Sequence, residues 1–343
     1  MLTDAAVADH PADVSPPRRW WSRVLTGLVW VCVVPVAVWA LVRLFGWEYG
    51  TLAIELIAFT PYVAAGSVVV ALIALGTRRW WAAGTAVVAV LALASGVLPR
   101  FFADADAARP ATPGPDVVFM SVNVLAGGAD MAQLVSLVRE RRVDVLAIQE
   151  FTPGTQRRLA EAGLEELLPH KHTSGAAERV SGSGLYSRYP LSGLGVRVNP
   201  GGFRQAYATV AVPGARPVYV ESVHPVPPHV TASADGLLNG LAGQPAGGGD
   251  GPVRVLIGDF NSTLDHAALR RLLDKGYRDA AAAVGEGLTP TWPYYGRRVP
   301  TTPKVTIDHV FADERIGVRD FAAVTVRRTD HRALFATLVL PGP

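Results

Sequence analysis

The sequence predicts an α/β domain of packed sheets carried behind three membrane-spanning helices, and three observations lead there. Composition divides the chain: residues 1–103 hold seven Lys/Arg and five Asp/Glu, whereas residues 104–343 hold 25 and 24. The charge-poor part contains three long apolar runs, and the charge-rich part alternates many short strand patterns with fewer helical ones, as an α/β domain does. Several of those short strands end in an acid, an amide or a histidine.

Taken in order, residues 1–17 are polar, contain Pro11, Pro16 and Pro17, and are expected to form a disordered cytoplasmic tail. Arg18, Arg19, Trp20, Trp21 and Arg23 then make a basic, aromatic border, which opens a membrane region over residues 18–102. Its apolar runs are Val24–Phe45, Thr51–Leu75 and Trp80–Leu98, of 19 to 25 residues each, where about 20 are needed to cross a bilayer. Trp47, Trp80, Trp81, Phe101 and Phe102 stand at the run ends, where interfacial aromatics belong. A cleaved signal peptide would have a shorter apolar run and would not be followed by two more. The positive charge lies in the border at Arg18–Arg23 and in the short loop at Arg78 and Arg79, so the N-terminus is expected in the cytoplasm and everything after Phe102 outside. Glu55, close to the outer end of the second run, reads as an interfacial group. The single cysteine, Cys32, excludes an intrachain disulfide framework.

Residues 103–116 form an Ala/Pro linker expected to be extended and to hold the domain over residues 117–343 close to the membrane. Within that domain the patterns give strands at Val117–Val122, Val143–Ile148, Gly184–Ser187, Gln205–Val212, Val218–Val223, Val253–Ile257, Val305–Phe311 and Ala333–Leu340. Helices are expected at Met131–Arg141, Pro153–Glu166 and Leu264–Asp274. Gly236–Gly251, with seven glycines, reads as a surface loop. Net charge is +1 over residues 104–343, a small excess of arginine that argues only weakly against a nucleic-acid partner, since a neutral domain can still carry a local basic patch.

The polar strand tips are Asn123 in S-V-N-V, Glu150 in L-A-I-Q-E, His224 in E-S-V-H-P, Asp259 and Asn261 in G-D-F-N, Asp308 in T-I-D-H-V, and Asp330 with His331 in T-D-H-R. A lone D-x-N is usually an Asx turn capping the next helix. Six apolar runs ending in such groups exceed what a core requires, and neighbouring strands can bring them to one crevice. Carboxylates and amides without a thiolate cluster make a hard, oxygen-rich site that suits Mg²⁺, with Mn²⁺ as the alternative cation. With His224 and His331 as proton donors and acceptors, this set suits in-line attack of water on phosphorus. Trp292, between prolines, either stacks on a substrate group or packs its loop; His309 is expected to face away from Asp308; and His170, His172 and His266 are expected at the surface.

The ordered series Asn123, Gln149–Glu150, S-R-Y-P-L from Ser187 to Leu191, His224–Pro225, Gly258–Asn261, Ile307–Asp308 and Asp330–His331 resembles the endonuclease/exonuclease/phosphatase superfamily across residues 117–340. That superfamily includes DNase I-like nucleases, neutral sphingomyelinases and inositol polyphosphate 5-phosphatases. The resemblance implies a four-layer α/β sandwich, two mixed sheets face to face with helices outside. It also implies Glu150, Asn123 and Asp330 as the metal side, Asp259 as the acid that orients the water, Asn261 as a phosphoryl-oxygen ligand, a His331–Asp308 pair, and His224 on phosphate or leaving group. Val122 and Val124 flank Asn123 where relatives often carry a second amide, which leaves that strand one ligand.

The predicted activity is that of a membrane-anchored, extracytoplasmic Mg²⁺-dependent phosphohydrolase or phosphodiesterase. Its substrate is expected to be a lipid-linked phosphate or pyrophosphate of the cell envelope, because the spans and linker tether the site near the outer leaflet. The architecture is also similar to membrane-anchored members of the superfamily associated with teicoplanin resistance. Two alternatives remain open on sequence: an extracytoplasmic nuclease acting on DNA, and a non-catalytic binding module with the same fold.

Overall fold

The computed structural model describes residues 18–104, 107, 112–175, 179–229, 234–294 and 303–343. The expected tail at 1–17 lies outside the described residues, as do residues 105, 106 and 108–111 of the expected linker at 103–116, whose last four residues, Pro113–Asp116, open the first strand.

Four helices come first: α1 (Arg18–Phe45), α2 (Gly50–Ile57), α3 (Thr60–Gly76) and α4 (Trp80–Val97). α1 and the helix running from Trp80 to Phe101 are long and apolar enough to cross a membrane. The second apolar run is not one straight span. It breaks after Ile57, and α2 and α3 meet at 74°, so the pair makes a third span only if taken together. Pro61, early in α3, is one physical reason for the break, since it donates no hydrogen bond to the preceding turn.

The rest of the chain follows as β1 (Pro113–Asn123), α5 (Met131–Glu140), β2 (Val145–Gln149), α6 (Pro153–Glu161), α7 (Leu164–Leu167), β3 (His170–Thr173), β4 (Ser183–Ser187) and β5 (Leu191–Val198). Then come β6 (Arg204–Val210), β7 (Val218–Val223), α8 (Asp235–Ala242), β8 (Val253–Asp259), α9 (Ala267–Leu273), β9 (Tyr277–Asp279), α10 (Ala280–Ala283), β10 (Asp308–Asp313), β11 (Gly317–Thr325) and β12 (Arg332–Pro341). Two six-stranded mixed sheets result, in the orders β11-β12-β1-β2-β4-β3 and β5-β6-β7-β8-β10-β9. Alternation along each strand builds the layers. Val117 and Phe119 of β1 face Val220, Val255 and Ile257 of the other sheet. Met120 and Val122, one residue out of phase, pack outward with Leu134, Val138 and Leu159 of α5 and α6. Leu256 and Phe311 do the same on the far side under α8 and α9. Strands buried on both faces read as continuous apolar runs, and the four-layer sandwich is their consequence.

Local chemistry places the helices. Asp130 caps α5 by accepting from Gln133 N at 3.0 Å, and Thr152 with Thr155 forms a capping box ahead of α6. The expected loop at Gly236–Gly251 is helical in its first half, as α8, because Leu237 and Leu241 bury one turn apart against the second sheet.

The apolar helices are packed onto the sandwich. Asp265 is fully buried and receives Arg43 Nε, from the end of α1, at 2.7 Å, and Arg100 Nη1 and Nη2, from just after α4, at 2.9 and 2.7 Å. Gly96 makes room for this: a Cβ there would lie 2.1 Å from Arg43 Nη2. Glu48 accepts from Ala267 N at the start of α9, and Ile54 of α2 is buried in the outer core of the second sheet. Ala103, at the head of the expected linker, bridges to Val284.

Asp265→Asn leaves two buried guanidinium groups without their counter-charge, an uncompensated loss of about 3–5 kcal/mol. Thermal unfolding of the full chain in detergent should show a clearly lower Tm, and an unchanged Tm would count against the clamp. Burial raises the Asp265 pKa, but Arg100 and then Arg43 outweigh it and hold the carboxyl below its usual 3.8. A depressed pKa contributes stability above the unfolded value that is lost as pH falls through the folded one, so the wild-type advantage over the variant should shrink below about pH 4.

Candidate active site

The register of the two sheets gathers the polar tips. Asn123 at the end of β1 pairs with Gln149 at the end of the parallel β2, and Val223 of β7 pairs with Gly258 of β8. Asp308 pairs with Asp259 across the antiparallel β8 and β10. Asn123, Glu150, His224 and Asp259 therefore sit at or just past carboxyl ends of strands. Asp308 opens β10, and Asp330 and His331 precede β12, which corrects the expectation that all tips end their strands. The outcome is the same edge, because β10 and β12 run antiparallel to β8 and β1.

Gly258 permits the approach of the central strands: a Cβ there would lie 2.1 Å from Val223 O and 2.9 Å from Gln149 Nε2. Beneath the site, Gln149 spans the two sheets, accepting from Ser121 Oγ at 3.2 Å and donating to Ser222 Oγ at 3.0 Å. Glu150 and Asn261 both have left-handed backbone, φ 55° and 49°. That region suits asparagine and strains glutamate, a cost that concentrates at functional positions.

All eight predicted site residues come together. The Asn123 amide donates to Glu150 Oε1 and to Asp259 Oδ2, each at 3.1 Å. Glu150 Oε2 also accepts from Ala126 N at 2.7 Å, and Asp259 Oδ1 accepts from Asn261 N at 2.8 Å. His331 Nδ1 lies 3.0 Å from Asp308 Oδ2, and its Nε2 lies 3.7 Å from Asp259 Oδ2. His224 Nε2 approaches the same Asp259 oxygen at 3.7 Å. Asn261 Nδ2 donates to Pro225 O at 2.9 Å. Trp292 Nε1 donates to Asp330 Oδ2 at 3.0 Å, a role sequence left between stacking and loop packing.

His309 faces the other side of β10, with Nδ1 2.8 Å from Asp279 and Nε2 3.0 Å from Ser262 O. His266, expected at the surface, is buried, with Nδ1 beside Thr263 and Nε2 2.9 Å from Ile54 O. His172 is half-buried against Gly195 O at 2.9 Å. Neither had a spacing pattern to reveal its partner, because each bonds a backbone carbonyl distant in sequence.

The electrostatics divide the site. Burial lowers the His331 pKa, but Asp308 and Asp259 outweigh it and hold the imidazole protonated well above its ordinary range. Burial, then the His331 charge, pulls His224 down to about 3, so it is neutral. Burial, then the Asp308 charge, raises the Asp259 pKa. Asp259, Asp308 and His331 present ligand atoms within 4.8 Å of one another, a grouping that could hold a metal ion, although the imidazolium already balances part of its negative charge. Glu150 and Asp330 accept hydrogen bonds only from neutral N–H donors, with the His331 Nε2 3.9 Å from Asp330 Oδ1: burial raises the Glu150 pKa, against the bonds from Asn123 and Ala126 and the His331 charge. Asp330 Oδ1 is buried and has no hydrogen-bond partner among the described residues. An oxygen donor set with unbalanced charge and an unpartnered carboxylate oxygen fits a hard divalent cation.

The model of the Endonuclease/Exonuclease/phosphatase family matches residues 120–331. The chain belongs to the endonuclease/exonuclease/phosphatase family. It is accordingly a metal-dependent hydrolase of phosphoester bonds. No curated protein matches it by sequence. Among solved structures it is similar to an endonuclease/exonuclease/phosphatase from Beutenbergia cavernae, with 23% identity over 66% of this chain and 72% of that one and a TM-score of 0.51. It is also similar to D. rerio TDP2 humanized by 14 mutations, with 16% identity, 65% and 98% coverage and a TM-score of 0.53. TDP2 from C. elegans gives 18% identity, 67% and 76% coverage and a TM-score of 0.52. These likenesses cover the sandwich that family members share.

The gathered polar residues open onto a cleft of about 500 Å³. Glu150, Asp259 and His331 line it, and so do Ile54, Ala58 and Phe59 from the apolar helices. No motif in the sequence marked those three.

Gly258→Ala drives a methyl group into Val223 O and should cost about 1–3 kcal/mol while separating β7 from β8. The expected result is a lower Tm together with lost phosphoesterase turnover, and a variant matching wild type in both would refute the close-approach reading.

Proposed function

We propose that the protein is a membrane-anchored, Mg²⁺-dependent phosphohydrolase whose catalytic domain faces outside the cytoplasm and acts on a lipid-linked phosphate or pyrophosphate of the cell envelope. A role in glycopeptide resistance would be its physiological setting. The observation that carries this reading is the buried Asp265 clamp to Arg43 and Arg100, which joins the catalytic sandwich rigidly to the apolar helices. The topology is supported by the arginines. Arg79 donates to Ser22 O and Oγ at 3.0 and 2.9 Å, so the basic loop and the basic N-terminal border share one end of the bundle. Arg43 and Arg100, the two that would blur the charge count, are neutralised by Asp265 at the other end.

Glu150, Asn123 and Asp330 would hold the cation, which when bound supplies charge neutralisation at the phosphoryl oxygens. Asp259 orients the attacking water and takes its proton, a task suited to a carboxylate with a raised pKa. The His331 imidazolium, kept charged by Asp308, stabilises negative charge that grows on phosphoryl oxygen. His224, neutral and 3.7 Å from Asp259, completes the pair around the water. Asn261 has a second amide proton beyond the one given to Pro225, and offers it to a phosphoryl oxygen.

DNA is the alternative substrate, as in the structure of D. rerio TDP2 complexed with single strand DNA product. The net charge of +1 over residues 104–343 disfavours it.

Purified full chain with Mg²⁺ should release phosphate from polyprenyl pyrophosphate or a phospholipid faster than it nicks plasmid; faster nicking reverses the assignment. Asp259→Ala and His331→Ala should each lower turnover by at least about 100-fold. EDTA should abolish activity and added Mg²⁺ restore it, and no turnover above background, with no difference for either variant, would leave a non-catalytic module. In intact cells, external protease should remove the C-terminal domain, and its protection would place the domain in the cytoplasm.

A further inference from the structure

The cleft changes character along its length. Glu150, Asp259 and His331 line one part of it, and another wall is the break between α2 and α3, with Ile54, Ala58 and Phe59 lining the same continuous space and Glu55 and His229, 3.9 Å apart, at the same wall. α2 is held there firmly. Ile54 is buried with Val223, Leu237 and Phe260, and its carbonyl lies 2.9 Å from His266 Nε2. At the break the chain turns by 74° into α3, an apolar helix of 17 residues that leads away from the site. Pro227 and Pro228, three and four residues beyond His224, line the cleft as well.

A phosphate or pyrophosphate group gains nothing from an apolar wall, since its contacts are charged and hydrogen-bonded. An alkyl chain attached to it does gain, by leaving water. Resting on the lipid-phosphate reading above, we infer that α2 and its break form a subsite for the apolar chain of the substrate. The reacting phosphorus lies over Asp259 and His331, and the first carbons of the chain lie along Ala58 and Phe59, with buried Ile54 supporting them from behind. The geometry gives the bent pair a purpose: α3 runs into the bilayer from the mouth of the site, so the chain of a lipid phosphate follows it from the membrane to the catalytic floor. Chain hydrophobicity is then a determinant of specificity, set by the apolar helices and not by the sandwich.

The test uses the full-length protein in detergent with Mg²⁺, isopentenyl pyrophosphate and farnesyl pyrophosphate as substrates, and plasmid DNA as a third arm. Each methylene buried in the subsite should raise kcat/KM roughly fourfold, so farnesyl pyrophosphate, longer by two isoprene units, should be preferred by at least about 100-fold even when only part of its chain is buried. Ala58→Trp, which fills the subsite, and Phe59→Asp, which charges it, should each lower that preference at least about tenfold. The ratio within one preparation cancels partial misfolding, which lowers both rates together, and comparison with wild type cancels partitioning into micelles. Equal kcat/KM for the two pyrophosphates, or a preference unchanged in both variants, overturns the subsite while leaving a phosphohydrolase. Failure to hydrolyse either one, with or without plasmid nicking, overturns the lipid-phosphate reading on which the subsite rests.

Discussion

One buried carboxylate ties the molecule together. Asp265 receives three hydrogen bonds from two arginines of the apolar region, Arg43 closing α1 and Arg100 following α4. Ion pairs of this kind bring little net stability over an apolar substitute, but losing one partner is costly, so they act as strong constraints on register. Asp265 lies six residues after Asp259. The clamp therefore fixes where the helices meet the loop that carries the reacting groups, and Gly96 and His266 exist around it as fittings: one gives the Arg43 guanidinium its space, and the other joins that loop to Ile54.

The second constraint is the crowding of negative charge at one sheet edge. Glu150, Asp259, Asp308 and Asp330 are held near each other in a largely buried site, which costs free energy unless each is answered. Asp259 and Asp308 are answered by His331. Glu150 and Asp330 accept hydrogen bonds from the neutral donors Asn123, Ala126 and Trp292, and His331 reaches Asp330 only at 3.9 Å. The shared Asn123 amide joins the two halves, one hydrogen to each side. One imidazolium leaves the four carboxylates short of positive charge, which a divalent cation would supply.

Much of this was legible in residue patterns. Alternating apolar strands with short helical stretches, and the tips at Asn123, Glu150, His224, Asp259, Asn261, Asp308, Asp330 and His331, pointed to an α/β domain with a phosphoester site, since a strand period of two leaves a polar end residue visible. The edge strands β3, β5, β9 and β11 were not legible. His170–Thr173 and Tyr277–Asp279 are polar and brief, and become strands only because a neighbour supplies hydrogen bonds. α8 was hidden by its glycines, and the break in the second apolar run was hidden because hydropathy records how apolar a stretch is and not where it bends. Trp292 gave a residue type without a partner, because Asp330 lies 38 positions away.

The sequence by itself determined the division into apolar helices and sandwich, the family, and the set of groups that can do the chemistry, because periodicity and residue type are local properties written along the chain. Tertiary structure decided which charge answers which, that Arg43 and Arg100 face a buried acid and not solvent, and that Ile54, Ala58 and Phe59 stand beside the catalytic floor. Arg43 and Arg100 stand 222 and 165 positions from Asp265, and only the packing of the helices against the second sheet brings them into contact; even the His331–Asp308 pair spans 23 positions and needs two sheets to form it.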